Sequence, residues 1–473
     1  MTVAKLFLDG AWAEGASVGT IEEKYTGDAL AEVHQASPEQ VAQAVGALKA
    51  GQAAHVIPPY ERFEILSRAV ALLDERREDV ITTIVGESGF TRTDATTEVT
   101  RALQTLRLSA EEAPRLTGHV VPMEGAPGIT RRVGYTTRHP VGVVCAITPF
   151  NSPLNTVSHK VGPAIAAGNA VLLKPASATP LTSMKLVEIL LEAGLPETHV
   201  ALIHGPARTV GNALLEDPRL NYYAFTGSTE VGRHIRATVG LRPSQLELGS
   251  LSSTILCDDA DLEDAVAKCV NGAFRKAGQV CTSIQRIYVH DQLHDRFLDR
   301  VVEEVGARQV GDPYQAETFV GPLISAPEAE RVEQWVASAV SAGAKALAGG
   351  ERDERVVAPT VLVDVAPDMQ VMCEEVFGPV VSVKGFSDFD AAVDEVNDTP
   401  YGLAAGVFTQ DVSRALRAAD RLHMGSVHIN ETSSSRVDLM PYGGAKDSGL
   451  GQEGPRYAAR EMTEERLVTI KYY

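Results

Sequence analysis

Apolar positions first recur at helical spacing between residues 38 and 116. Val41, Ala44, Val45 and Leu48 fall on one face of a predicted helix, and Phe63, Leu66, Ala69 and Leu72 on one face of the next. Ser37-Pro38-Glu39 marks a helix start, because proline in the first turn gives up an N–H that has no helical partner anyway. Residues 101–115 continue as a long helix that breaks near Pro114. From Thr117 to Arg138 the pattern changes. Val120, Val121, Ile129, Val133 and Tyr135 are β-type residues, interrupted by Gly125, Pro127 and Gly128. They predict a hairpin-like arm outside the core.

Strands and helices then alternate. Val141–Ile147 is a continuous apolar run, the mark of a strand buried on both faces of a parallel sheet. Residues 163–168 read as a helix end and Ala170–Lys174 as a second strand. Leu181–Ala193 reads as an amphipathic helix stopped by Gly194, and Val200–Ile203 and Tyr222–Phe225 as further strands. A second α/β region begins near Ser253. Its predicted strands are Ser253–Leu256, Ile284–Val289, Thr360–Val363 and Val380–Phe386. Its predicted helices are Asp261–Phe274, Leu293–Val305, Ala326–Ala342 and Asp388–Val396. The final Glu465–Tyr473 alternates like an edge strand. Repeating βα units imply an α/β fold with helices on both faces of parallel sheets.

Length and composition narrow the function classes. A chain of 473 residues exceeds one compact core and predicts two or three domains. A net charge of −19 argues against nucleic acid or an anionic membrane as partner. Five cysteines, none in a C-x-x-C pair, predict no disulfide framework and no metal site. No apolar run reaches membrane-spanning length, and Asp9 interrupts the N-terminal stretch too early for a signal-peptide core. These features predict a cytoplasmic protein.

Four stretches carry candidate chemistry. Gly278-Gln279-Val280-Cys281-Thr282-Ser283 sets a cysteine among small residues that leave its sulfur approachable. Alone, it reads more readily as a buried free cysteine. Thr148-Pro149-Phe150-Asn151, Leu246-Glu247-Leu248-Gly249 and Glu374-Glu375-Val376-Phe377-Gly378-Pro379 add an amide donor and two carboxylates. A nucleophile, an amide donor and carboxylates form the set that acyl chemistry through a thioester needs. The G-x-G-x-x-G fingerprint is absent. Instead Phe225-Thr226-Gly227-Ser228-Thr229 follows a strand and opens a helix. Gly227 permits close backbone approach there, and Ser228 can meet a phosphate at the helix N-terminus or serve as an ordinary N-cap.

Together, in this order, these motifs resemble the NAD(P)-dependent aldehyde dehydrogenase superfamily, from about Leu6 to the C-terminus. The stretch Arg436–Gly444 is most similar to the lactaldehyde-dehydrogenase-like branch. The resemblance implies a Rossmann-type NAD(P)-binding domain (1–117 and 139–247), a second α/β catalytic domain (248–445) and a small β oligomerisation arm (118–138 and 457–473). It implies Cys281 as nucleophile, Asn151 with the Cys281 N–H as oxyanion donors, and Glu247 as general base. Cofactor contacts are implied at Thr148, Pro149, Phe150, Lys174, Ser177, Gly205, Phe225, Thr226, Gly227, Ser228, Leu248, Glu375 and Phe377. Ser177 stands where many NAD-preferring relatives carry a glutamate, so NADP is expected to serve as well as NAD. Two departures touch the substrate side: Gly249-Ser250-Leu251 replaces the usual Gly-Gly-Lys, and Ser283 replaces a smaller residue.

Substrate contacts are expected from Ser152, Arg107, Val280, Thr282 and Arg436, with Arg107 and Arg436 available for an anionic tail. The expected substrate is a small hydroxy- or oxo-aldehyde such as lactaldehyde, with an aromatic aldehyde as alternative. A CoA-acylating enzyme is a further alternative, against which Glu247 argues. A non-catalytic binding or structural protein is another, against which the joint presence of Cys281, Asn151, Glu247 and Glu375 argues. A homodimer or homotetramer is expected, since the arm and the terminal strand would leave open edges on a monomer.

Overall fold

Two large sheets organise the molecule. The structure, a computed structural model, describes residues 2–473, so Met1 of the N-terminal stretch lies outside it. The first sheet runs Gly449–Leu450, Ser244–Glu247, Tyr222–Thr226, Val143–Ile147, Ala170–Lys174, Val200–Leu202, Leu6–Leu8, Ala11–Ala13. Its five strands between Ser244–Glu247 and Val200–Leu202 are parallel, and the flanking ones pair antiparallel. Strand Val143–Ile147 sends Val144 and Ala146 into one core cluster and Val143 and Cys145 into another. Burial on both faces is the reason this run is apolar at every position.

Strand order reverses between Val143–Ile147 and Tyr222–Thr226, neighbours within the parallel part of the sheet. Connections leave these strands in opposite directions, so a crevice opens beyond their C-terminal ends. Open α/β sheets bind ligands at such a point. The register pairs Ile147 with Lys174 and Thr226 with Glu247 along that edge.

The second sheet runs Lys345–Ala348, Thr360–Val363, Val380–Phe386, Arg286–His290, Ser253–Leu256, Ala404–Phe408, Ser426–Ile429. All its pairs are parallel except the first. A smaller sheet joins Thr463–Lys471 to Arg132–Pro140 over nine residue pairs, with Val120–Val121 on the far edge. The helix Pro455–Glu461 before it packs on the helices Arg92–Glu112 and Asn155–Ala166, and Ala458 and Met462 join the core of the first sheet.

Several expectations need correction. The helix Pro59–Glu75 buries Ile65, Leu66, Ala69 and Leu73, while Phe63 is 40% exposed. The true stripe includes Arg62, whose guanidinium donates to the Ala166 carbonyl at 2.8 Å, so a polar residue hid the phase. Residues 163–168 do hold a helix end, since the helix spans Asn155–Ala166 and Pro163 sits in its last turn; its start at Asn155 was not read. The strand expected from Ile284 starts at Arg286, and Ile284 packs below the cysteine loop. Among the described residues, no helix is long and apolar enough to cross a membrane, and no group of three His, Cys, Asp or Glu could hold a metal ion.

Candidate active site

Cys281 sits at the end of an unusual loop. Lys276, Ala277 and Gly278 in succession have φ of 53°, 54° and 69°. For residues with a side chain this costs about 1–3 kcal/mol each unless the surroundings hold it. Here Lys276 Nζ donates to Glu98 Oε2 at 2.6 Å and to the Asn151 carbonyl at 2.9 Å. The Gln279 amide ties the loop twice, donating to the Lys276 carbonyl and accepting from the Ile324 N–H. Gly278 cannot be replaced without movement, because a Cβ there would lie 2.1 Å from the Gly378 oxygen. The Cys281 sulfur is half-buried and 3.1 Å from the Tyr442 hydroxyl. Burial pushes the thiol up; Tyr442 and Arg436 oppose this, and Glu247 and Glu375 add to it.

Asn151 follows the strand Val143–Ile147. Its Nδ2 donates to the Gln279 carbonyl at 2.9 Å, two residues before the cysteine. Behind it, the helix Asn155–Ala166 has no cap from its own side chains. Glu98, from the helix Arg92–Glu112, supplies one. It accepts from the N–H groups of Leu154 and Asn155 at 3.2 and 2.8 Å, and from the Ser152 hydroxyl at 2.7 Å. A carboxylate suits the positive end of a helix. Glu98 thereby joins the asparagine turn to the cysteine loop through Lys276. The Ser152 hydroxyl is taken up in this cap.

Glu247 ends the strand Ser244–Glu247 and is 3% exposed. One oxygen accepts from Gln245 Nε2 at 3.2 Å, and the other has no partner. Burial, followed by the charge of Glu453, holds this carboxyl well above the usual range. Glu453 behaves oppositely. Burial opposes its ionisation, but Lys160 and Arg436 outweigh that, at 3.0 and 2.7 Å. Lys160 also donates to Gln245 Oε1 at 3.2 Å, closing a buried chain from Glu247 to Glu453. Two carboxyls driven apart in this way leave Glu453 ionised and Glu247 as the one that holds its proton more tightly.

A cavity of about 470 Å³ adjoins the cysteine, lined by Phe150, Gly227, Leu248, Glu375 and Phe377 among others. Phe225 and Thr226 lead into it, with Ser228 capping the next helix through the Val231 N–H. Burial pushes Glu375 up to about 7, against a hydrogen bond from the Ser250 N–H. The rings of Phe150 and Phe377 meet edge to face at 5.8 Å. At the next strand end, Lys174 is 6% exposed with no carboxylate partner among the described residues, and burial lowers its affinity for a proton. The buried Thr148 hydroxyl also lacks a partner. Pro149 is half-buried, Ser177 is exposed, and Gly205 has a φ of 147°. A cleft with an unpaired ammonium, an orphaned hydroxyl and glycines where a Cβ would collide fits a ligand bearing hydroxyls and phosphates. At Gly227 such a Cβ would lie 2.5 Å from the Phe225 ring.

Tyr442 touches the sulfur, Arg436 and Arg275 act on it by charge, and Arg101 joins them through Asp438 and the field at Arg275. The Arg436 guanidinium lies 3.8 Å from the Tyr442 ring centroid while paired to Glu453. Arg101 makes a two-point contact with Asp438, at 2.7 and 3.1 Å. Asp438 is also hydrogen-bonded by His159 and Asn155 at 3.0 Å each. Arg275 reaches only Ser434, at 2.8 Å to its hydroxyl. Arg107 is not here. It lines a separate cleft with Ser67, Asp74 and Arg77, because Glu98, Arg101 and Thr105 occupy the face of that helix turned to the site. Val280 is half-buried, and Thr282 is buried with its carbonyl accepting from Ser433. Tyr442, Arg275, Arg101, Lys160 and Glu453 were missed from sequence. Counting helical steps of three and four from Glu98 reaches Arg101 and Thr105 and passes over Arg107.

Comparison with known proteins agrees with this geometry. The aldehyde dehydrogenase family model matches residues 12–468. The 3-sulfolactaldehyde dehydrogenase of Priestia aryabhattai is 45% identical over 465 residues, covering 98% of this chain and 97% of that protein. The lactaldehyde dehydrogenase of Methanocaldococcus jannaschii is 35% identical over 471 residues, covering 98% and 100%. Among solved structures, the NADP-dependent glyceraldehyde-3-phosphate dehydrogenase of Bacillus halodurans complexed with NADP superimposes with a TM-score of 0.97 at 34% identity, covering both chains in full. With the fold, the strand-end cleft and the cysteine loop all in agreement, the chain belongs to the aldehyde dehydrogenase family.

Proposed function

We propose that the protein oxidises a small hydroxy- or oxo-aldehyde carrying an anionic tail to its carboxylic acid, using NAD or NADP. Arg275 carries the substrate assignment. Its guanidinium is half-buried, has no carboxylate at ion-pair distance among the described residues, and interacts electrostatically with Asp94 and, more weakly, with Cys281 and Glu98. An unpaired guanidinium in a partly desolvated site favours an anionic ligand. Arg101 and Arg436 are already neutralised by Asp438 and Glu453, so the anionic role expected of Arg436 passes to Arg275. Similarity to the sulfolactaldehyde enzyme supports an anionic tail, and similarity to the lactaldehyde enzyme supports the neutral hydroxy-aldehyde as second reading. Arg275→Gln is expected to lower kcat/KM for 3-sulfolactaldehyde by roughly 10–100-fold, the worth of a charge-assisted hydrogen bond, and to spare lactaldehyde. Equal losses on both aldehydes would reject the tail contact.

The chemistry follows from the chain's own groups. Cys281 Sγ bonds to the carbonyl carbon. Charge collects on the aldehyde oxygen, to which the Asn151 amide and the Cys281 N–H donate. The nicotinamide, when bound, supplies the hydride acceptor. The acyl group is then a thioester on Cys281. Glu247 takes a proton from the attacking water, and the acid departs as the sulfur recovers its electron pair.

Phe150, Gly227, Ser228, Leu248, Glu375 and Phe377 would hold the nicotinamide half of the cofactor, and Lys174, Ser177 and Gly205 the adenosine half. No carboxylate at Ser177 repels a 2′-phosphate, so both cofactors are expected to work. Ser177→Glu should shift kcat/KM toward NAD; an unmoved ratio would refute the role. The free state of all five cysteines fits the reducing cytoplasm. Exposed Val120, Val133, Leu467 and Ile470 on the small sheet fit an interface between copies. Light scattering should give a dimer or tetramer, and a monomer would contradict it.

A further inference from the structure

Within the site, Tyr442 has a position that the acyl chemistry above does not use. Its side chain is 3% exposed. Its hydroxyl is 3.1 Å from the Cys281 sulfur, and its ring is covered by the Arg436 guanidinium at 3.8 Å. Arg436 is fixed in turn by Glu453, whose backbone exchanges two hydrogen bonds with that of Tyr442 at 3.1 and 2.6 Å. The phenol is therefore clamped through its own backbone and through its ring. Such clamping is unusual for a tyrosine that only fills space, and it aims the hydroxyl at one atom.

We propose that Tyr442 is the hydrogen-bond donor that stabilises the Cys281 thiolate, both before attack and again when the thioester breaks. Only one proton arrangement serves the nucleophile. A thiolate has no hydrogen to give, so the phenol must donate, O–H···S⁻. The guanidinium over the ring withdraws electron density and makes the phenol a better donor. In deacylation the C–S bond breaks and its electron pair returns to sulfur. The same donor receives that charge, and the phenol keeps its proton throughout.

The surrounding charges make this donor necessary. Burial disfavours a thiolate, and so do Glu247 and Glu375 when ionised. Arg436 and Arg275 favour it, with Arg436 shared with Glu453. Tyr442 is the neutral group in direct contact with the sulfur, and no other side-chain hydrogen bond reaches that atom among the described residues.

The proposal rests on Cys281 being the nucleophile, but its test is independent of any aldehyde. The rate of iodoacetamide labelling of Cys281 is followed against pH by peptide mass spectrometry, in wild type, in Tyr442→Phe and in a protein with 3-fluorotyrosine at position 442. Tyr442→Phe keeps the ring under Arg436 and removes only the donor. Its labelling midpoint is expected to rise by about one pH unit or more, the worth of a hydrogen bond to a charged group. Fluorotyrosine, a stronger donor, should lower the midpoint and also decides the matter if the phenylalanine variant does not fold. A midpoint unmoved by either change, or moved in the opposite sense, overturns the proposal. Failure of aldehyde turnover in wild type would leave these shifts intact and count against the function alone.

Discussion

Cys281→Ala is expected to abolish aldehyde-dependent cofactor reduction while leaving cofactor affinity within a few-fold. The loss is complete because no other side chain can form the thioester. Cys145, Cys257 and Cys269 are buried in the core, where desolvation pushes their thiols to about 12, about 11 and still higher. Cys373 is exposed at the end of the short helix Gln370–Cys373, with its thiol turned to the Asp368 carbonyl. The alanine fits the same left-handed loop, since the residues that bend it are Lys276, Ala277 and Gly278. Initial rates with and without aldehyde, and cofactor titration by fluorescence, read the two halves separately. Appreciable turnover in the variant would remove Cys281 from the mechanism.

Glu247→Gln is expected to slow deacylation by roughly 10²–10⁴-fold, the range of a positioned general base, with far less effect on the first turnover. Rapid mixing should then give a burst of reduced cofactor followed by a slow steady state. The pH dependence follows from the sign of the shift. Burial and Glu453 hold the Glu247 carboxyl above its ordinary range, so the base is protonated at low pH. Deacylation in wild type therefore rises as pH passes upward through a midpoint above the ordinary carboxylate range, and glutamine removes that rise. Retention of the wild-type steady state would show that another group activates water.

The alternation of strands and helices was legible because a strand buried on both faces must be apolar throughout. Val143–Ile147 meets that condition, and Ala170–Lys174 meets it up to its terminal lysine; the structure begins and ends both within two residues of expectation. The antiparallel additions Leu6–Leu8 and Ala11–Ala13 were not read, since three residues are too few to display a period. Nor was Ala404–Phe408, whose alanines and Gly406 have little β-character. In the site, motif residues were legible where several unusual types adjoin, as around Cys281, Asn151 and Glu375. Single residues brought in from afar were not. Lys160 is wholly buried in its helix and meets a carboxylate 293 positions away, whereas a lone lysine in sequence reads as surface. Glu98 and Tyr442 likewise gain their roles only from partners that the fold supplies.

The most direct test of the account is to find the acyl group on its cysteine. Glu247→Gln is mixed with aldehyde and oxidised cofactor, quenched in acid during the slow phase, digested and mapped by mass spectrometry. The account predicts one acyl adduct per chain, on the peptide containing Cys281, decaying at the steady-state rate. An absent adduct alongside a clear burst, or an adduct on any other residue, would contradict it.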